Sequence, residues 1–162
     1  MNDMHLLDMP PDKMEGEVVA ALFFKDDRPL AGAAALLDWR LNGHLTKQLL
    51  SGSVTGTSRD LLLVQNNGKL DSDWALFVGG GRRKEISVDQ YSLLLAKIFR
   101  TCHQAGFARI AICLDIDSSL SKKELTTLVR EAYNAGPYTG IDYLLTLVPV
   151  AYDTTRQISE NN

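Results

Sequence analysis

Apolar positions along this chain fall into short unbroken runs that alternate with stretches of helical spacing. Val18-Val19-Ala20-Ala21-Leu22-Phe23-Phe24 is a short run that opens on β-branched residues, the pattern of a strand buried on both faces. Lys25-Asp26-Asp27-Arg28-Pro29 predicts a turn. From Leu30 to Leu41 Ala and Leu dominate, which predicts a helix, and Gly43 reads as its stop. Leu45, Leu49 and Leu50 mark a second short helix, ended by Ser51-Gly52. Asp60–Gln65 and Trp74–Val78 read as strands, separated by an Asn66-Asn67-Gly68 turn. A helix over about Val88 to Ala105 places Val88, Tyr91, Leu95, Ile98 and Cys102 on one stripe, and Gly106 closes it. Ile110–Leu114 is a further buried strand. Ser121 and Glu124 have capping-box spacing ahead of a helix striped by Leu125, Leu128, Val129 and Ala132. Gly136-Pro137 stops that helix, and Tyr143–Val150 is the final strand.

Helices that lie between buried strands demand crossovers, so parallel pairs dominate; the short link between the second and third strands allows one antiparallel pair. The expected fold is an α/β three-layer sandwich, with a mixed, mostly parallel sheet of five or six strands flanked by helices. The chain has 162 residues, the size of one domain. Residues 1–15 read as a flexible arm, 16–152 as the domain and 153–162 as a polar tail. The arm is acidic and holds all four methionines. Met4 to Met14 is therefore a candidate docking segment, because Met adapts to irregular grooves.

A formal charge of −3 argues against a dedicated nucleic-acid binder, and two cysteines are too few for a disulfide framework. No apolar run approaches the roughly 20 residues of a membrane span, and the acidic start lacks the features of a signal peptide. A cytoplasmic location, with no membrane contact, is the expectation.

The sharpest local feature is Gly79-Gly80-Gly81-Arg82-Arg83-Lys84, a glycine run between a strand and a helix. Backbone N–H groups in such loops cradle phosphate, and the three cations add charge. The run is neither a Walker A motif nor a full G-x-G-x-x-G, and the plainer reading is a tight turn with solvated charges. Asp115 and Asp117 end a strand on one face, which suits a cation, but no third ligand is evident; such residues also cap helices. Cys102 and Cys113 lie in apolar patterns and read as small hydrophobes. His5, His44 and His103 have no metal-ligand spacing, and Lys122-Lys123 reads as a solvated helix start. No cofactor is expected.

The order of elements, with its phrases, resembles the N-terminal domain of leucyl (cytosol) aminopeptidases. The phrases are the strand Val19–Phe24, Leu36-Leu37-Asp38, Leu41-Asn42-Gly43-His44-Leu45 and Leu49-Leu50-Ser51-Gly52. They continue with Gly56-Thr57 before Asp60–Val64, and with Trp74–Val78 running into Gly79-Gly80-Gly81 and its basic follow-on. The resemblance covers about residues 16–150 and implies a macro-domain-like fold. In that family the two-metal chemistry lies in a second domain, whose Asn-Thr-Asp-Ala-Glu-Gly-Arg signature this sequence lacks. The resemblance therefore carries over no catalytic or metal-binding residue. It implies the non-catalytic half of an aminopeptidase, standing alone, with no turnover of its own. The expected role is an interaction or assembly domain. A homodimer or another protein partner would dock on the arm, or on the final strand with Tyr138 and Tyr152 close by, if that strand is a sheet edge. The alternatives are a module for a phosphate-bearing small molecule (a nucleotide or an ADP-ribose-like ligand) at Gly79–Lys84, or an accessory part of a metal-dependent aminopeptidase.

Overall fold

The computed structural model describes residues 6–117 and 120–150. In chain order the elements are β1 (Leu6–Leu7), β2 (Gly16–Phe23), α1 (Gly32–Arg40), α2 (His44–Ser51), β3 (Leu61–Gln65) and β4 (Ser72–Gly79). Then follow α3 (Val88–Gln104), β5 (Arg109–Ile116), α4 (Lys122–Asn134) and β6 (Asp142–Pro149). The six strands form one sheet in the order β1-β6-β5-β2-β4-β3. Only β3 runs antiparallel to its neighbour; the other pairs are parallel. The mixed α/β sandwich expected from the hydrophobic pattern is the fold observed.

β2 lies between β4 and β5, which explains its unbroken apolar run. Val18, Ala20 and Leu22 point into one core with α3 and α4, where Phe99 and Leu125 are fully buried. Val19, Ala21 and Phe23 point into the other, with Leu37 of α1 and Leu45 of α2. Ser87 and Ser121 each close a capping box, at the starts of α3 and α4. Asn42 and Gly43, both at positive φ, reverse the chain between α1 and α2.

Two expectations are corrected here. Residues 6–15 are not a loose arm: β1 pairs with Leu145 and Thr146 of β6, and Met14 is fully buried in the second core. Polar contacts fix the same segment. Arg40 Nε donates to Asp12 Oδ2 at 2.9 Å, Ser72 Oγ to the Met14 carbonyl at 2.6 Å, and Thr146 Oγ1 to the Met9 carbonyl at 2.6 Å. Acid-rich composition suggested solvent, but a short strand and one anchoring methionine suffice to hold the segment down. Residues 1–5 of the expected arm, Tyr152 and the 153–162 tail lie outside the described residues.

The second correction concerns the final strand. β6 is not an open edge, because β1 covers part of it. Tyr138 is likewise core: it stacks on Phe99 with ring centroids 5.5 Å apart, beside Tyr133 and Tyr143. Such ring pairs add about 0.5–1.5 kcal/mol each beyond their buried area. Among the described residues β3 is the edge strand at the other end of the sheet.

Candidate functional site

In open α/β sheets ligands bind where neighbouring strands send their crossovers to opposite faces, at the strands' C-terminal ends. Here that point is the crest formed by the ends of β2, β4 and β5. α1 follows β2 onto one face, and α3 follows β4 onto the other. The chain fills this crest with its own side chains. Arg83, just past β4, is buried, and its Nη2 donates to Asp27 Oδ2 and to Asp115 Oδ2, both at 2.7 Å. Its Nε lies 3.1 Å from both oxygens of Asp27, and its guanidinium lies 4.2 Å over the Phe24 ring. Asp117 Oδ2 is 3.8 Å from Arg83 Nη1. Asp115 Oδ1 in turn accepts from the Ala33 N–H at 2.8 Å, at the N-terminus of α1. Gly32 makes this approach possible. It sits at φ +64, and a Cβ there would lie 2.2 Å from Asp115 Oδ1.

The glycine run is engaged in the same way, so the expected phosphate cradle is not available. Gly79 N–H donates to Asp60 O, Gly80 N–H to Phe23 O and Gly81 N–H to Gly56 O. Arg83 and Lys84 donate their N–H groups to the Asp26 carboxylate, at 2.7 and 3.2 Å. Of the three cations, Arg83 is buried in ion pairs, while Arg82 and Lys84 are exposed. The backbone positions that would hold an external anion therefore hold internal carboxylates: Asp26 at the glycine loop and Asp115 at α1. Asp38 does the same at α2, accepting from Leu45 N–H at 2.7 Å.

The metal reading of Asp115 and Asp117 is corrected by these contacts, since Asp115 meets a guanidinium and a helix N-terminus. Among the described residues no group of three or more His, Cys, Asp or Glu side chains is placed to hold a metal ion. Both thiols are buried, Cys102 in the core under α3 and α4 and Cys113 in the core that holds α1 and α2. Burial pushes the Cys102 thiol up to about 12, and burial with the charges of Asp115 and Asp12 raises Cys113 too, so neither is a ready nucleophile. His103 packs edge-on against Tyr138, His44 is exposed at the start of α2, and His5 lies outside the described residues. Lys122 and Lys123 are exposed at the start of α4.

The sequence reading missed Asp26, Asp27 and Asp60. The signal was present: two adjacent acids one turn beyond a buried parallel strand, at the end of the sheet where the Arg-rich loop also lies. Burial opposes ionisation of Asp26, but the N–H groups of Arg83 and Lys84 and the Arg83 charge outweigh it and hold the carboxyl below its usual range. Asp60 is held low in the same way, by the N–H groups of Thr55 and Gly56. A depressed carboxylate stabilises the fold fully above its ordinary value of 3.8 and loses that contribution as pH falls below it. These two groups should therefore contribute to a fall in urea midpoint below about pH 4, and an Asp26→Asn, Asp60→Asn double variant should show a flatter acid limb. An unchanged limb would remove these two groups from the account.

A family model for the cytosol aminopeptidase family, N-terminal domain, matches residues 21–136. The chain belongs to that family. The probable cytosol aminopeptidase of Nitrosomonas eutropha is 30% identical over 126 residues, covering 74% of this chain and 25% of that protein. The probable cytosol aminopeptidase of Colwellia psychrerythraea is 26% identical over 125 residues, covering 77% and 25%. The chain thus spans about a quarter of the length of these relatives. Among solved structures, a tomato leucine aminopeptidase mutant superposes with a TM-score of 0.66 at 15% identity, over 88% of this chain and 32% of that one. The macrodomain of Mycobacterium tuberculosis DarG gives 0.63 at 12% identity, over 87% and 96%. The cytosol aminopeptidase N-terminal domain in this chain therefore has the macro-domain-like fold. No helix among its described residues is long and apolar enough to cross a membrane.

Proposed function

We propose that this chain is a non-catalytic assembly domain that pairs with a second copy of itself along β3. The observation that carries this is the outer edge of that strand, which pairs with no other strand among the described residues. Gly79 N–H donates to Asp60 O and Asn66 N–H to Asp73 O. By antiparallel alternation Asp60, Leu62, Val64 and Asn66 thus turn their backbone groups toward β4, and Leu61, Leu63 and Gln65 turn theirs outward. Protected edges carry charges, proline or bulges. Leu61–Gln65 carries no charge and no proline, and Leu61 and Leu63 are 42% and 44% exposed.

A two-fold axis at Leu63 makes this strand self-complementary. The outward residues then meet as hydrogen-bonded pairs, Leu63 opposite Leu63 and Leu61 opposite Gln65. The charged residues Arg59 and Asp60 fall opposite Asn67 and Asn66, so no like charges meet. An isologous contact of this kind needs only one patch. The closed crest supports the same reading, because the usual ligand position of the fold is taken by Arg83, Asp27 and Asp115.

Light scattering at micromolar concentration should give the mass of a dimer. Leu63→Lys should give a folded monomer, since Leu63 is half exposed. A monomeric parent at every accessible concentration would sink the proposal.

A further inference from the structure

Beside the glycine run, on the α3 side, lies a cleft of about 490 Å³ that includes Arg59, Arg82, Lys97 and Arg100 against one carboxylate, Glu85. We infer that this cleft is an anion site that takes a di- or triphosphate. The inference does not rest on self-association through β3.

Four observations support it. The cations come from three separate elements: Arg59 from the turn before β3, Arg82 from the loop after β4, and Lys97 with Arg100 from one face of α3. They gather in a chain whose formal charge is −3, so the local surplus runs against the background. Among the described residues Arg59, Arg82 and Arg100 also form no ion pair, whereas the chain answers Arg40 and Arg83 with its own aspartates. Lys97 lies partly buried beside Arg100; burial first, and that neighbouring charge second, press its ammonium toward the neutral form. An anion in the cleft would relieve that repulsion.

Planar guanidinium groups match phosphate oxygens with paired hydrogen bonds, which favours phosphate over a single carboxylate. The volume falls within the ordinary range for small-ligand sites. Leu93, 71% exposed on the α3 wall, offers an apolar surface next to the charges. The same chemistry is presented by free pyrophosphate and by a nucleotide, and the two differ in whether that wall contributes.

The test is calorimetry of the full chain at low salt with inorganic pyrophosphate and with ATP. Saturable binding of both is expected, weakening as salt rises. Arg59→Ala and Arg100→Ala should each weaken it about tenfold, and Lys47→Ala, on exposed α2, should leave it unchanged. Equal affinity for the two probes assigns the site to the phosphates alone, and tighter ATP binding assigns it to a nucleotide. No binding of either probe overturns the inference, as does binding that both arginine variants retain or that Lys47→Ala weakens equally. Light scattering of the variants separates this result from self-association, since a lost dimer with intact pyrophosphate binding leaves the site standing.

Discussion

Arg83→Met should cost the fold about 3–5 kcal/mol, the range for removing one partner of a buried ion pair. The Arg83 side chain is 7% exposed, and those of Asp27 and Asp115 are 9% and 4%. Methionine keeps an apolar side chain in the same space but removes the guanidinium that stacks on Phe24 and leaves both carboxylates without their cation. Urea unfolding at pH 7 reads the loss, and Arg82→Met, one residue away and exposed, should stay within about 0.5 kcal/mol of the parent. The pH dependence is a second readout. Burial already pushes the Asp115 carboxyl above its ordinary value, ahead of the attraction of Arg83. A carboxyl raised in this way penalises the fold above its folded pKa and ceases to do so once protonated below it. The deficit of Arg83→Met should therefore shrink as pH falls from 7 toward 4. Adding Asp115→Asn should recover part of the loss at pH 7, since the two sites share one network. Equal midpoints for parent and Arg83→Met would show that the crest is held by packing alone.

The elements were legible because burial on both faces leaves a plain signature. The β2 run divides cleanly between the two cores, and Tyr91, Leu95, Ile98 and Cys102 of the α3 stripe are buried as their spacing requires, whereas Val88, at the head of the same stripe, is exposed in the first turn of the helix. The capping boxes at α3 and α4 came straight from side-chain chemistry; the Ser121 and Glu124 pair was readable from spacing alone. What was not legible depended on contacts between distant segments. β1 is two residues long, too short for any periodicity, and only its parallel register against β6 gives it meaning. Asp27 and Asp115 stand 56 and 32 positions from Arg83 in the chain. Asp27 reads as a turn residue and Arg83 and Asp115 as candidate ligand groups until the topology brings the ends of β2, β4 and β5 together. The same cause hid the cations of the neighbouring cleft, since Lys97 and Arg100 line it from a helix read only for its apolar stripe.

Gly79→Ala should be the most damaging substitution in the glycine run, at about 3 kcal/mol, the upper part of the range for overpacking. The reason is steric. A Cβ at Gly79 would lie 1.9 Å from the Thr57 carbonyl oxygen, a backbone atom that cannot rotate away. Relief requires moving the 57–60 turn, which β4 grips through the Gly79 N–H to Asp60 O bond, 2.9 Å long. Gly81 differs in kind. It sits at φ +80 with open space around its missing Cβ, so Gly81→Ala pays only for the left-handed backbone, roughly 1–2 kcal/mol. Asn tolerates that conformation better, so Gly81→Asn should cost less than Gly81→Ala. Gly80 falls between them, because its Cβ would lie 2.5 Å from the Phe24 ring, a side chain that can shift at some cost to the Arg83 stack. Urea midpoints of these variants should rank Gly79→Ala lowest and Gly81→Asn nearest the parent. A phosphate-cradling loop would give a different pattern, with stability barely changed and pyrophosphate binding lost in all of them. If Gly79→Ala folds as well as the parent, the close packing of β4 on the 57–60 turn does not explain why glycine stands there.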